Sequence, residues 1–176
     1  MSNQTTCQPP AVPQGTTAVA PWIIARRAGP VIEFLERLFD ATEVVRMVGP
    51  DGDRIVHAEV RISGGPVMLF DGDDEWPPTP AFLRVYVGDV DDVVARAGGL
   101  GARVVTEPWT AFFGDRAARI VDPWDNLWWV HTRVFEPTAE QLAAGPVDDT
   151  ELAAMARATD TLGAELRRRG AGRSAE

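Results

Sequence analysis

The sequence predicts an α+β protein of two β-α-β-β-β modules with a C-terminal helical extension. Three observations lead there. The same order of elements is spelled within residues 16–70 and again within 81–134; an acidic, proline-rich connector, Asp71–Pro80, parts the two runs; and after residue 134 the pattern turns helical. The 176 residues suit one ordinary domain or two small fused modules, enough to bury a core.

Residues 1–15 are polar and proline-rich, have little to bury, and read as a disordered tail holding the one cysteine, Cys7. A strand follows at Thr17–Ala25. The next helix opens at Gly29-Pro30, where proline suits a first turn, and repeats Val31, Phe34, Leu35 and Leu38 along one face. Strands are expected at Glu43–Val48, Arg54–Ile62 and Pro66–Phe70, with turns at Gly49–Gly52 and Gly64-Gly65. The order then restarts: strand Ala81–Val87, helix Val90–Ala97 with its Gly98-Gly99 stop, strand Arg103–Glu107, and an aromatic loop Pro108–Gly114. Strand Arg116–Val121, the turn Asp122–Asn126 and strand Leu127–Val134 complete it.

Residues 135–176 form the extension. One or two helical turns are expected at Thr138–Ala144. A longer helix at Asp148–Arg169 has acids first and arginines last, matching the helix macrodipole. Leu152, Met155, Thr159, Leu162 and Leu166 make a narrow stripe for docking on the body or on a second subunit.

Composition excludes several functions. The chain carries 17 basic against 26 acidic residues, a net charge of -9, which argues against nucleic acid or an anionic membrane as partner. Every basic residue is arginine, so lysine Schiff-base chemistry and lysine-based phosphate loops are out. One cysteine makes no intramolecular disulfide or thiolate cluster, and two histidines make no three-histidine site. With no signal-like or membrane-length apolar segment, the expected compartment is the cytoplasm.

The paired element order, with the phrases HAEVRIS-GG-PVMLFD (57–71), LRVYVGDVDDVVARA (83–97) and ARIVDPWDNLWWVHT (118–132), resembles the vicinal oxygen chelate superfamily, nearest its PhnB-like glyoxalase/bleomycin-resistance branch. The resemblance covers about residues 17–134. It implies a curved mixed sheet and a homodimer, with modules side by side or exchanged between chains. In members that use a metal it also implies four ligands from the first and fourth strands of each module. Counted onto this chain, those positions are Ala20, Met68, Phe82 and Trp129. None suits a hard divalent cation, and a slip of one residue rescues nothing, so no metal and no cofactor are expected. The turn departs from the family as well, with Asp125 where glycine is usual; aspartate tolerates the left-handed conformation.

Strand alternation sorts the side chains. Toward the helices point Ile23, Val56, Ala58, Val60, Ile62, Val67, Leu69, Leu83, Val85, Val87, Trp128 and Val130. The other parity carries Trp22, His57, Glu59, Arg61, Met68, Phe70, Phe82, Arg84, Tyr86, Trp129 and His131: aromatics with a few charges, the make-up of a small-molecule pocket. Trp109, Phe113 and Trp76 would close its mouth from loops, and Arg84, with Arg119 behind it, needs an anion, either Glu59 or a ligand. The same aromatics could instead fill the space among themselves.

The expectation is a metal-independent binder of an aromatic or apolar small molecule, antibiotic or natural product. Its contacts would be Trp22, Met68, Phe70, Phe82, Arg84, Tyr86, Trp109, Phe113, Arg119 and Trp129, and its acidic surface would suit a cationic drug. The alternative is a metal-free isomerase, lyase or cyclase using His57, Glu59 and His131 as acid/base groups and Arg84 as oxyanion clamp. A metal held by His57, Glu59 and His131 is the third reading. Assembly with a partner through the C-terminal helix is the fallback.

Overall fold

A computed structural model describes residues 10–13 and 15–173. Most of the expected tail, Cys7 included, lies outside the described residues. The elements are β1 (Trp22–Ala25), α1 (Ala28–Phe39), β2 (Thr42–Val48), β3 (Ile55–Ile62), β4 (Gly65–Asp71), β5 (Phe82–Tyr86), α2 (Val90–Ala97), β6 (Arg103–Thr110), β7 (Asp115–Val121), β8 (Leu127–Arg133), α3 (Ala139–Ala144) and α4 (Asp149–Arg173). A single 3-10 turn at Gly98–Leu100 follows α2. The first strand is shorter than the sequence suggested. Among the described residues none before Pro21 finds a ladder partner, and pairing begins where Trp22 meets Met68.

Each module is a four-stranded mixed sheet, ordered β1-β4-β3-β2 and β5-β8-β7-β6. In both, the first and fourth strands run parallel and the remaining pairs antiparallel. Hairpin β3–β4 turns on Ser63 and Gly64, both at positive φ, rather than on Gly64-Gly65. Ser63 Oγ donates to the Tyr86 carbonyl at 2.8 Å and so ties the first module to β5.

One apolar cluster runs through both modules. Val31, Ile32, Leu35 and Leu38 of α1 and Val90, Val93 and Ala97 of α2 join the helix-facing residues of both sheets in it. Phe39 packs on Trp128 at 5.0 Å, and Arg96 of α2 donates to the Arg37 carbonyl of α1 at 2.8 Å. The alternation expected from sequence holds along β4, β5 and β8 but breaks at Val56. A register shift between Met47 and Val48 puts Ile55 in the core and leaves Val56 47% exposed. Asp125 does take positive φ, 65°. Its turn is held by Asp122, whose buried carboxylate accepts from Trp124 N, Asn126 N, Asn126 Nδ2 and Trp128 Nε1.

The C-terminal helix docks on the body, but not by the leucine stripe. Leu152 and Leu166 are exposed, while Ala158 and Glu165 are buried against the second sheet. Small residues win because the helix lies close over β6 and β7: Thr161 Oγ1 meets Thr106 Oγ1 at 2.7 Å and the Ala158 carbonyl accepts from Arg119 at 2.6 Å. Farther along, Glu165 receives Arg103, Arg168 and Arg169 at 2.7, 2.9 and 2.9 Å. No helix among the described residues is long and apolar enough to cross a membrane.

Candidate functional site

With both sheets' helix-facing sides committed to one core, each sheet turns its other face outward. The face of the first module carries Trp22, His57, Glu59, Met68 and Phe70. Trp22 stands 5.6 Å from the His57 ring and 5.4 Å from Phe70, and Phe70 in turn meets Trp76 at 6.2 Å. Glu59 does not pair with His57. Arg61 takes it at 2.6 Å, since the same-face neighbour two residues on brings a full charge. Among the described residues no hydrogen bond, ion pair or ring contact joins this set to the corresponding face of the second module. The three-residue set His57, Glu59 and His131 is therefore not assembled.

The second face is built in rows by strand register. Tyr86, His131, Ala117 and Trp109 lie across β5, β8, β7 and β6; Arg84, Trp129, Arg119 and Thr106 form the next row; Asp115 and Arg133 make a third. Trp109, expected in a loop, is instead on β6 and 8% exposed beneath α4. Two register shifts let β6 run on past Pro108. Proline is tolerated there because β6 is the edge strand.

Asp115 organises this face. It is fully buried, and Oδ2 accepts from His131 Nδ1 at 2.8 Å, Tyr86 OH at 2.9 Å and Arg84 at 3.0 Å, while Arg133 faces Oδ1 at 3.1 Å. Arg84 also donates to the Tyr86 hydroxyl. Burial alone would push the Asp115 carboxyl up; the hydrogen bonds from Tyr86 and His131 and the charge of Arg133 overcome it and hold the carboxyl below its ordinary value. His131 goes the other way. Burial lowers its pKa against the pull of Asp115, so the ring is neutral near pH 7 with its proton on Nδ1. The Tyr86 phenol is raised, by burial first and then by its bond to Asp115.

Gly114 sets Asp115 in place. At φ +91° it makes a turn in which an added Cβ would run into the Phe135 carbonyl oxygen and Arg133. Its own carbonyl accepts from Val134 N and Phe135 N. A cleft of about 470 Å³ opens beside the cluster, lined by Arg84, Phe113, Asp115, Trp129, His131, Arg133, by Glu136 and Pro137 after β8, and by Leu142 of α3. Phe82 and Tyr86 are part-exposed, and neither lines this cleft. A second groove, of about 360 Å³, lies where β5 meets the first module, but Asp115 and His131 are absent from its lining.

Four nitrogen atoms of this face are buried without a hydrogen-bond partner: Trp109 Nε1, Trp129 Nε1, Arg119 Nε and His131 Nε2. Left dry, each would cost about 1–3 kcal/mol.

The metal positions implied by the resemblance do not fit a metal. Register sets Trp22, not Ala20, opposite Met68, and Arg84, not Phe82, opposite Trp129. Both sets lack a donor for a hard cation, and the second puts a guanidinium where a cation would sit. Among the described residues no group of three or more His, Cys, Asp and Glu is placed to hold a metal ion.

Asp115 and Arg133 belong to this face although the sequence did not single them out. Asp115 shares parity with Arg119 but falls between the expected aromatic loop, Pro108–Gly114, and the expected strand, Arg116–Val121. Arg133 shares parity with His131 and was passed over as the strand's end.

Paired βαβββ modules, each with an outward sheet face, define a duplicated α+β scaffold. The chain belongs to the Glyoxalase/Bleomycin resistance protein/Dioxygenase superfamily, whose model matches residues 19–130. It is 34% identical over 138 residues to an uncharacterized protein of Mycobacterium bovis, covering 72% of this chain and 90% of that one. Among solved structures it is similar to TioX from a Micromonospora species, with a TM-score of 0.55 at 22% identity over 69% of this chain and 100% of that one. It is also similar to FosX, a fosfomycin resistance protein of Listeria monocytogenes solved with Mn(II) and sulfate. There the TM-score is 0.52 at 18% identity over 72% and 97% of the two chains. At those identities the structures share the fold.

Proposed function

We propose that the protein binds an apolar or aromatic small molecule without a metal, in the cleft of the second module. The observation that carries this reading is the donor set. At the ligand positions that the resemblance implies, Ala20, Met68, Phe82 and Trp129, and at their register neighbours Trp22 and Arg84, this chain offers no donor for a hard cation, beside a cleft walled by Phe113, Trp129 and His131. Flat ligands stack on such walls. FosX, a fosfomycin resistance protein, and TioX share this fold, and the FosX name supports a small molecule as the kind of ligand the scaffold can take. Native mass spectrometry of protein expressed without an affinity tag tests it: a bound organic molecule of unaltered mass is expected. Stoichiometric metal, or a ligand recovered chemically changed, overturns it.

A second reading has an observation of its own. His131, held by Asp115 with Nε2 unpartnered beside the cleft, has the arrangement of a general base, with Arg84 and Tyr86 near it to receive negative charge. This replaces the His57/Glu59 pair as the acid/base candidate. On this reading His131→Gln abolishes turnover while keeping affinity; on the binding reading no turnover exists to lose.

The assembly proposed is a homodimer. The exposed apolar face of the first module, with Trp22, Met47 and Val56, supports it. Light scattering at micromolar concentration should give twice the chain mass, and a monomer mass would refute it.

A further inference from the structure

The ligand's charge can be read from the face that would hold it. The chain carries -9 overall, yet this face gathers three arginines, Arg84 and Arg133 at the buried Asp115 carboxylate and Arg119 in the row of Trp129. Asp115 answers Arg84 and Arg133, at 3.0 and 3.1 Å. Among the described residues Arg119 has no ion pair. It is the buried arginine among the described residues, 4% exposed, and its Nη1 reaches two neutral oxygens, the Ala158 carbonyl at 2.6 Å and Thr106 Oγ1 at 3.2 Å. A guanidinium does not shed its proton in such a place, so a full charge is buried against neutral acceptors. Its carbon lies 4.4 Å from the centre of the Trp129 ring and 5.2 Å from that of Trp109. The Nε–H of Arg119 and both indole N–H groups are buried donors with no acceptor. A guanidinium with no carboxylate partner among the described residues, stacked on two indole rings and flanked by three unpartnered donors, complements an oxyanion.

We propose that the second module binds an organic anion, an apolar or aryl body bearing one carboxylate, sulfonate or phosphonate group. The oxyanion is held by Arg119 with the indole N–H groups of Trp109 and Trp129. The body lies in the cleft along Phe113, Trp129 and Leu142. This rests on the binding reading above, and it reverses the expectation of a cationic ligand, which took the charge of the whole chain for the charge of the site. To reach Arg119 the oxyanion replaces the Ala158 carbonyl, so the part of α4 that carries Ala154 and Ala158 moves outward as the ligand enters.

The test uses the full chain and two fluorescent probes of one body, anilinonaphthalenesulfonate and the uncharged N-phenylnaphthylamine. The sulfonate is expected to bind at least about 10-fold more tightly than the neutral amine. Arg119→Met should remove that preference, while Arg119→Lys, which keeps the charge, should retain part of it. Hydrogen exchange in residues 151–161 should quicken with the sulfonate and not with the amine. Equal affinity of the two probes for the wild type overturns the anion site and leaves the binding reading standing, and this comparison needs no variant to fold. A preference that survives Arg119→Met also overturns it. Failure of both probes to bind below millimolar concentration removes the binding reading with it.

Discussion

Replacing Glu165 with glutamine should loosen the C-terminal helix by an amount set by its buried carboxylate. Glu165 is 2% exposed and receives three arginines, two of them, Arg103 and Arg168, about half exposed. Burial pushes this carboxyl up, but hydrogen bonds from Arg168, Arg103 and Arg169 more than reverse it and hold it at about 2 instead of 4.5. At 1.36 kcal/mol per pH unit, that lowering favours the folded, ionised form by about 3 kcal/mol. Screening through the exposed arginines reduces the expected loss in Glu165→Gln to about 2 kcal/mol at pH 7, roughly 4–8 °C in Tm for a chain of this size. The folded pKa lies below the unfolded one, so the stabilisation is complete above pH 4.5 and is lost as pH falls from there toward 2. The gap in Tm between wild type and variant, read by circular dichroism at pH 7, 5, 4 and 3, should hold to pH 5 and shrink by roughly half at pH 3. A gap under about 1 °C at pH 7, or one that persists in full at pH 3, would refute the reasoning. Hydrogen exchange in α4 locates the effect, and unchanged protection there in the variant would count equally against it.

His131 should stay neutral with its proton on Nδ1 at pH 7, and stability should decline as pH falls below about 6.5, where the unfolded ring protonates and the buried one does not. Nitrogen chemical shifts of the imidazole read this directly, and an imidazolium signature at pH 6.5 would contradict it. Asp122→Ala strands the buried Trp128 Nε1 and Asn126 Nδ2 donors and should cost about 2–4 kcal/mol in thermal or urea unfolding. A loss under about 1 kcal/mol would mean that the turn reforms without its carboxylate. Gly114→Ala, at positive φ and against the Phe135 carbonyl, should cost about 2 kcal/mol or more and perturb the near-UV signal of Trp129 and Trp109. A variant with wild-type melting and spectrum would show that the turn is not what positions Asp115.

The sequence by itself determined the architecture and much of the face. Two element runs in the same order, punctuated by Gly98-Gly99 and Asp122–Asn126, lead to duplicated βαβββ modules, and simple alternation along β5 and β8 puts Arg84, Tyr86, Trp129 and His131 on one side. Those are local properties: period two in a strand and period 3.6 in a helix follow from backbone geometry alone. Tertiary structure decided the rest. Bulges shift the parity at Val56 and carry Trp109 onto β6, and a bulge exists only when a partner strand sets the register. Which face of α4 is buried depended on how closely it approaches β6, where Ala158 fits and leucine does not. Arg84 found Asp115 rather than Glu59 because the two outward faces do not meet, a relation between modules that no window of sequence contains. Composition reports the charge of the whole chain, -9. Only folding gathers Arg84, Arg119 and Arg133 on one face, because Coulomb interactions depend on distance in space and not on position along the chain.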